Sequence, residues 1–188
     1  MCDNILLSPH FQLREFTQSA TARKHGIANV PPPEAVENLM HLCEGTLEPL
    51  REALGLPVVI TSGFRTKELN DMLAHSSERS QHMSGQAADF YVAQGPVSGS
   101  KIQVSGDLNH ETGDSPMKLE TPRQRLVRAF HQILTDPNIS FDQLILYPSF
   151  IHVSFVSKEK NRRGIMLARS DGKLGYGRIT LANALKIQ

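Results

Sequence analysis

The chain has 188 residues, 39% of them hydrophobic and none of them tryptophan, with 20 Lys and Arg against 19 Asp and Glu for a formal net charge of +1. This balance leaves no strong field for nucleic acid or an anionic membrane, few aromatics interleave with the basic residues, and no apolar run approaches the roughly 18 residues of a membrane-spanning helix. The length suits one domain with a core of its own, expected over 1–188.

Cys2 and Cys43 offer neither a disulfide framework nor zinc-ribbon spacing. The N-terminus, MCDNILLSPHFQL, lacks a basic segment and a long apolar stretch, so cytoplasmic synthesis without a signal peptide is expected. Residues 11–25, FQLREFTQSATARKH, predict one or two short helices stopping at Gly26. Prolines 31–33 pre-set a helix start. Val36, Leu39, Met40, Cys43, Leu47, Leu50 and Leu54 then recur at helical spacing, which predicts an amphipathic helix over 34–54 with Cys43 in its core stripe, closed by Gly55 and Pro57.

The β-branched run VVITSGF (58–64) reads as a buried strand ending in a turn at Gly63. TKELNDMLAH (66–75) reads as a short helix, SSERSQHMSG (76–85) as a polar loop and QAADFYV (86–92) as a strand. Residues 94–118 are full of turn formers and predict a loop insertion outside the core. Thr121 and Pro122 then start a helix whose apolar face is Leu126, Val127, Phe130, Ile133 and Leu134. ISFDQLILYP and SFIHVSFVS are two strand-like runs parted by Pro148 and Ser149. The tail, 157–188, opens with the basic KEKNRRG and carries no assigned role.

Two of the eight histidines stand out by their surroundings. In FIHVSF, alternation sends Ile151, Val153 and Phe155 to one face and His152 with Ser154 to the other. In HMSGQAADF, Ala87 and Asp89 share one face and Ala88 and Phe90 the other. A carboxylate in a buried strand is costly unless it is paired or binds a metal. His82 lies an odd number of residues before Asp89, so an unbroken strand would put it on the wrong face, and Gly85 permits the turn that brings it back. Ala87 leaves room beside a cation. Two histidines and one carboxylate, with a fourth position for water, form a common catalytic zinc set. Mononuclear iron oxygenases use the same ligand types at a different spacing.

GFRTKELN, SQHMSGQAADF and FIHVSF, in that order, resemble the zinc-dependent peptidoglycan peptidases of the D-Ala-D-Ala carboxypeptidase family, which share the hedgehog/DD-peptidase fold. The resemblance spans roughly residues 11–165, and FDQLILYP through HVSFVSKEKNRRG is similar to prophage-encoded members. It implies an α+β domain with an antiparallel sheet carrying the site and helices packed on one side. It implies Zn2+ on His82, Asp89 and His152, and a peptidoglycan stem peptide as substrate, with action on the cell wall after release from the cytoplasm. It implies Arg65 as receiver of a substrate carboxylate, a role that fits a guanidinium fork, with Ser80 and Gln81 lining the same pocket.

Family members carry an acid three residues before the last histidine as general base, and here that residue is Ser149. Glu78, Asp142 and His75 are the remaining candidates, and Tyr147 could only donate a proton. The first expectation is therefore a monomeric zinc metallopeptidase, with neither nucleic acid nor membrane as partner. The alternative is a zinc-containing wall-binding module without catalysis, and a small-molecule iron oxygenase ranks third.

Overall fold

The computed structural model describes residues 5–74, 76–95, 120–168 and 176–188. Cys2, His75 and nearly all of the 94–118 insertion lie outside the described residues.

The chain opens with a small hairpin, β1 (Leu6–Ser8) and β2 (Phe11–Gln12), and two short helices, α1 (Leu13–Thr17) and α2 (Ala20–His25), which end at Gly26 in the left-handed region. The apolar stripe over 34–54 does form one helical rod, but not a uniform one. α3 (Pro33–Leu42) passes through a π turn at Cys43–Leu47 into α4 (Glu48–Leu54). At that turn the Gly45 carbonyl accepts from Ser140 N at 2.9 Å. A Cβ on Gly45 would stand 2.8 Å from the Phe155 ring. The widened turn thus lets the chain approaching the central strands dock against the helix backbone.

β3 (Val58–Ser62), α5 (Lys67–Met72), β4 (Ala87–Val92), α6 (Pro122–Thr135), β5 (Gln143–Leu146) and β6 (Ile151–Ser154) follow. α6 starts with the Thr121–Gln124 capping box. The tail, left without a role by its sequence, supplies β7 (Gly164–Ala168), β8 (Tyr176–Arg178) and α7 (Leu181–Ala184).

The described strands beyond the hairpin form a six-stranded sheet in the order β3-β4-β6-β5-β7-β8. Its pairings are antiparallel except β5 with β7, which is parallel, so the expected antiparallel sheet is mixed at one ladder. One face buries Ala88, Phe90, Val92, Leu144, Leu146, Ile151 and Val153 with the stripes of α3, α4 and α6 in a single core cluster. The other face carries the site. Cys43 is fully buried in that core, and burial pushes its thiol up, which leaves it inert. Among the described residues, no helix is long and apolar enough to cross a membrane.

Candidate metal centre

The site is built by register. Asp89 on β4 pairs directly with His152 on β6, and directly opposed side chains share a face. That face is the one opposite the core, because Ala88 and Phe90 flank Asp89, and Ile151 and Val153 flank His152, inside the core cluster. His82 arrives from a 3-10 turn, Gln81–Ser84, capped by Gly85 at φ 71°. Gly85 is required there twice over: the left-handed region disfavours a side chain, and a Cβ would stand 2.2 Å from the Ala35 carbonyl oxygen.

His82 Nδ1 lies 2.6 Å from the Gly63 carbonyl oxygen. A carbonyl only accepts, so Nδ1 carries the proton and Nε2 presents its lone pair. Nε2 is 3.4 Å from Asp89 Oδ1 and 3.3 Å from His152 Nδ1, and Asp89 Oδ1 is 2.8 Å from His152 Nδ1. Ligand atoms at zinc-like bond lengths in a tetrahedron are separated by about 3.3 Å. Two edges of the triangle match that spacing and the third is somewhat shorter. The electrostatics suit a metal too. Burial lowers the proton affinity of His82 by more than Asp89 restores. Burial raises Asp89, but the two imidazoles outweigh it and hold the carboxyl well below the usual range. Neutral imidazole and ionised carboxylate are the forms that ligate, and the Nδ1–H bond to a backbone carbonyl is the usual outer hold on a metal-binding histidine. The donor set fits a zinc ion.

The triad lies in a cleft of about 570 Å³ whose lining includes Arg65, Ser80, Gln81, Tyr147, Phe150 and Arg162. Arg65 follows β3, donates its backbone N–H to the His82 carbonyl at 3.2 Å and has a buried Nε without a hydrogen-bond partner. Burial lowers its pKa and the charge of Asp89 opposes that, so a second anion would find a poorly solvated guanidinium. Ser80 and Gln81 both line the cleft, and Gln81 Nε2 donates to Asp142 Oδ2, also in the lining, at 2.9 Å.

The base candidates separate by position. Among the described residues, the acids lining the cleft are Asp89 and Asp142. Asp142 is fully buried and ion-paired with Arg162. Glu78 is exposed in a turn and is not in the lining, and His75 lies outside the described residues. Ser149 is exposed and absent from the lining as well. Tyr147 lines the cleft with its ring stacked on Phe150, centroids 4.3 Å apart. Sequence reasoning missed Arg79, Lys160 and Arg162, all cleft-lining cations. For Lys160 and Arg162 the available signal was the charge run KEKNRRG shortly after the histidine strand, and for Arg79 there was none.

A protein-family model described as Peptidase M15 matches residues 9–112, which include Arg65, His82 and Asp89. His152 lies beyond the match and joins them through strand register. Among curated proteins none matches the chain. Peptidases M15 are metal-dependent, and the three side chains that could hold the ion converge here. The match covers more than half of the 188 residues, and the chain belongs to the peptidase M15 family of metallopeptidases.

Proposed function

We propose that this chain is a zinc metallopeptidase that hydrolyses peptide bonds in peptidoglycan stem peptides. The observation that carries the reading is the His82–Asp89–His152 triangle lying in a cleft beside an arginine with an unpaired buried donor. The motifs around it favour the D-Ala-D-Ala carboxypeptidase group, in a prophage-type member that acts as a single-domain monomer on the wall after release.

His82 Nε2, Asp89 Oδ1 and His152 Nδ1 would hold the zinc. Bound there, the ion would supply Lewis acidity and lower the pKa of a coordinated water to about 7. The chain's own groups do the rest. Gly63 keeps the His82 tautomer fixed. Arg65 offers its fork to a substrate carboxylate and so orients the peptide across the triad. Arg65, Arg79, Lys160 and Arg162 outnumber Asp89 and Asp142 in the lining, which suits a peptide rich in carboxylates.

One observation favours a second reading. The residue three before His152 is Ser149, away from the cleft, so a wall-binding module that keeps the metal without catalysis is the alternative. Incubation of purified peptidoglycan with the zinc-loaded protein separates the two. The first reading expects new amino or carboxyl termini, lost on chelation, regained on adding zinc, and absent in His152→Ala. Binding to the wall without any new termini would establish the second reading instead.

A further inference from the structure

Asp142 stands at the head of β5 with no exposed surface, yet its carboxylate is crowded with donors. Oδ1 accepts from Arg162 N at 2.8 Å and from Arg162 Nε at 2.8 Å. Oδ2 accepts from Arg162 Nη2 and from Gln81 Nε2, the latter at 2.9 Å. The residue's backbone is equally engaged: its N–H donates to Ser154 O at 2.7 Å and its carbonyl accepts from Gly164 N at 2.8 Å. One aspartate therefore joins the end of β6, the start of β7 and the turn that carries His82.

The segment that brings Arg162 into place is itself fixed. Asn161 Oδ1 accepts from Val156 N at 2.9 Å. Arg163 takes φ 50°, the left-handed region that non-glycine residues rarely hold. Its guanidinium lies over the Phe141 ring, 4.7 Å from the centroid. Such a conformation persists where its surroundings over-determine it. The neighbours Phe141 and Asp142 thus hold the neighbours Arg163 and Arg162.

Gln81 is the link to the metal centre. Its side chain is held by Asp142, and its Oε1 accepts from Arg162 Nη2 at 3.3 Å. Its backbone carbonyl accepts from Gln86 N at 2.9 Å and from Ser84 Oγ at 3.0 Å, which closes the turn around His82. A carboxylate whose lone pairs are all occupied by four N–H donors, two of them on a guanidinium Nε and Nη2, is a poor proton acceptor. Burial pushes the Asp142 carboxyl up, and the Arg162 and Gln81 hydrogen bonds outweigh that and hold it below the ordinary aspartate range.

We propose that Asp142 is a positioning residue and not the general base: paired with Arg162, it holds Gln81 and so sets the turn that presents His82 to the metal. The proposal rests on the metal-centre reading above.

The test is zinc affinity, measured on the full chain by competition with a chromophoric chelator, beside the thermal midpoint of the metal-free protein. Asp142→Asn and Gln81→Met should each weaken zinc binding by about tenfold or more, as loss of an outer hold on a ligand does. The double variant should be no weaker than the worse single one, because both changes cut the same link. Gln81→Met leaves the Asp142–Arg162 pair intact, so its metal-free midpoint should stay close to wild type while its zinc affinity falls. A merely structural role would move the midpoint instead. Gln81→Met also carries the test should Asp142→Asn fail to fold. Wild-type zinc affinity in Gln81→Met would overturn the proposal. So would an Asp142→Asn that binds zinc normally and loses turnover by a hundredfold, since Asp142 would then act on the proton. A wild-type protein that takes up no zinc would overturn the metal-centre reading, and this proposal with it.

Discussion

His82 Nδ1 donates to the carbonyl of Gly63 across 2.6 Å, and that bond aims the opposite ring nitrogen at Asp89 and His152. The carbonyl is held in turn. A Cβ on Gly63 would stand 2.5 Å from Phe16 Cβ and 2.6 Å from Phe16 Cα, so β3 ends in contact with the backbone of α1. The candidate metal site is thus backed by a helix that contributes none of its three candidate ligands.

Gly63→Ala follows directly. The clash meets backbone atoms, which cannot swing away as the end of a flexible side chain would. Overpacking of this kind costs about 1–3 kcal/mol, and the shifted carbonyl should loosen His82. Denaturant unfolding of the metal-free protein should show the stability loss, and a zinc titration should show weaker binding. Unchanged zinc affinity in a variant that is clearly destabilised would mean that the Gly63 carbonyl does not set the histidine.

Much of this site is legible in the amino-acid sequence. Alternation alone assigns Ile151 and Val153 to the core and His152 to the opposite face, and Ala88 and Phe90 to the core beneath Asp89. Gly85 signals the turn at His82 because a glycine between polar and apolar runs has few other uses. The Asp142–Arg162–Gln81 link is not legible. Gln81 and Asp142 are 61 residues apart, and a basic run such as KEKNRRG reads as a solvated face until tertiary contacts show one of its arginines on a buried carboxylate. The tail strands are hidden for a related reason. β7 gains its place by parallel pairing with β5, a non-local choice that no short-range pattern encodes. The π turn is hidden because its stripe residues keep near-helical spacing through it.

The 94–118 insertion should be dispensable to the core. Arg125, buried in α6, donates from Nε to the Val92 carbonyl at 3.0 Å and from Nη1 to the Glu120 carbonyl at 2.6 Å, so one side chain ties down both flanks. Shortening a loop between fixed ends changes its closure cost by only about 0.6 kcal/mol per halving. Replacing 96–118 with a short Gly/Ser loop should therefore move the thermal midpoint by no more than about 2–4 °C, the shift that 1 kcal/mol gives at this size. A much larger drop would show that the segment belongs to the core.

Acid should act on Asp142 in a defined direction. Despite burial, which raises it, the carboxyl is held below the ordinary aspartate value of 3.8 by Arg162 and Gln81. A depressed carboxyl releases its proton more readily folded than unfolded, so its stabilisation is complete above the unfolded value and is lost as pH falls through the folded one. The stability gap between wild type and Asp142→Asn should be constant from neutral pH to about pH 5 and narrow below 3.8. Asp89 titrates in both proteins and cancels from the comparison. Urea unfolding at stepped pH reads the gap directly, and a gap unchanged down to the most acidic point would mean that the Asp142 charge adds nothing to stability.

Arg65 tests the substrate class. It sits half-buried beside the triad, with an unpaired Nε and its backbone fixed to the His82 carbonyl. Stem peptides end in carboxylates, and a guanidinium meets a carboxylate with two parallel hydrogen bonds. Lysine keeps the charge and loses the fork. Arg65→Lys should therefore cut kcat/KM on substrates with a free carboxylate at the recognised position by about tenfold or more, or ~1.4 kcal/mol. Zinc content should stay at the wild-type level, because Arg65 is not a ligand. Amidating the substrate carboxylate should weaken the wild type to a similar degree and the variant far less, since both changes remove one interaction. Losses that simply add would place the carboxylate elsewhere in the cleft, and the assignment of Arg65 to substrate binding would fall.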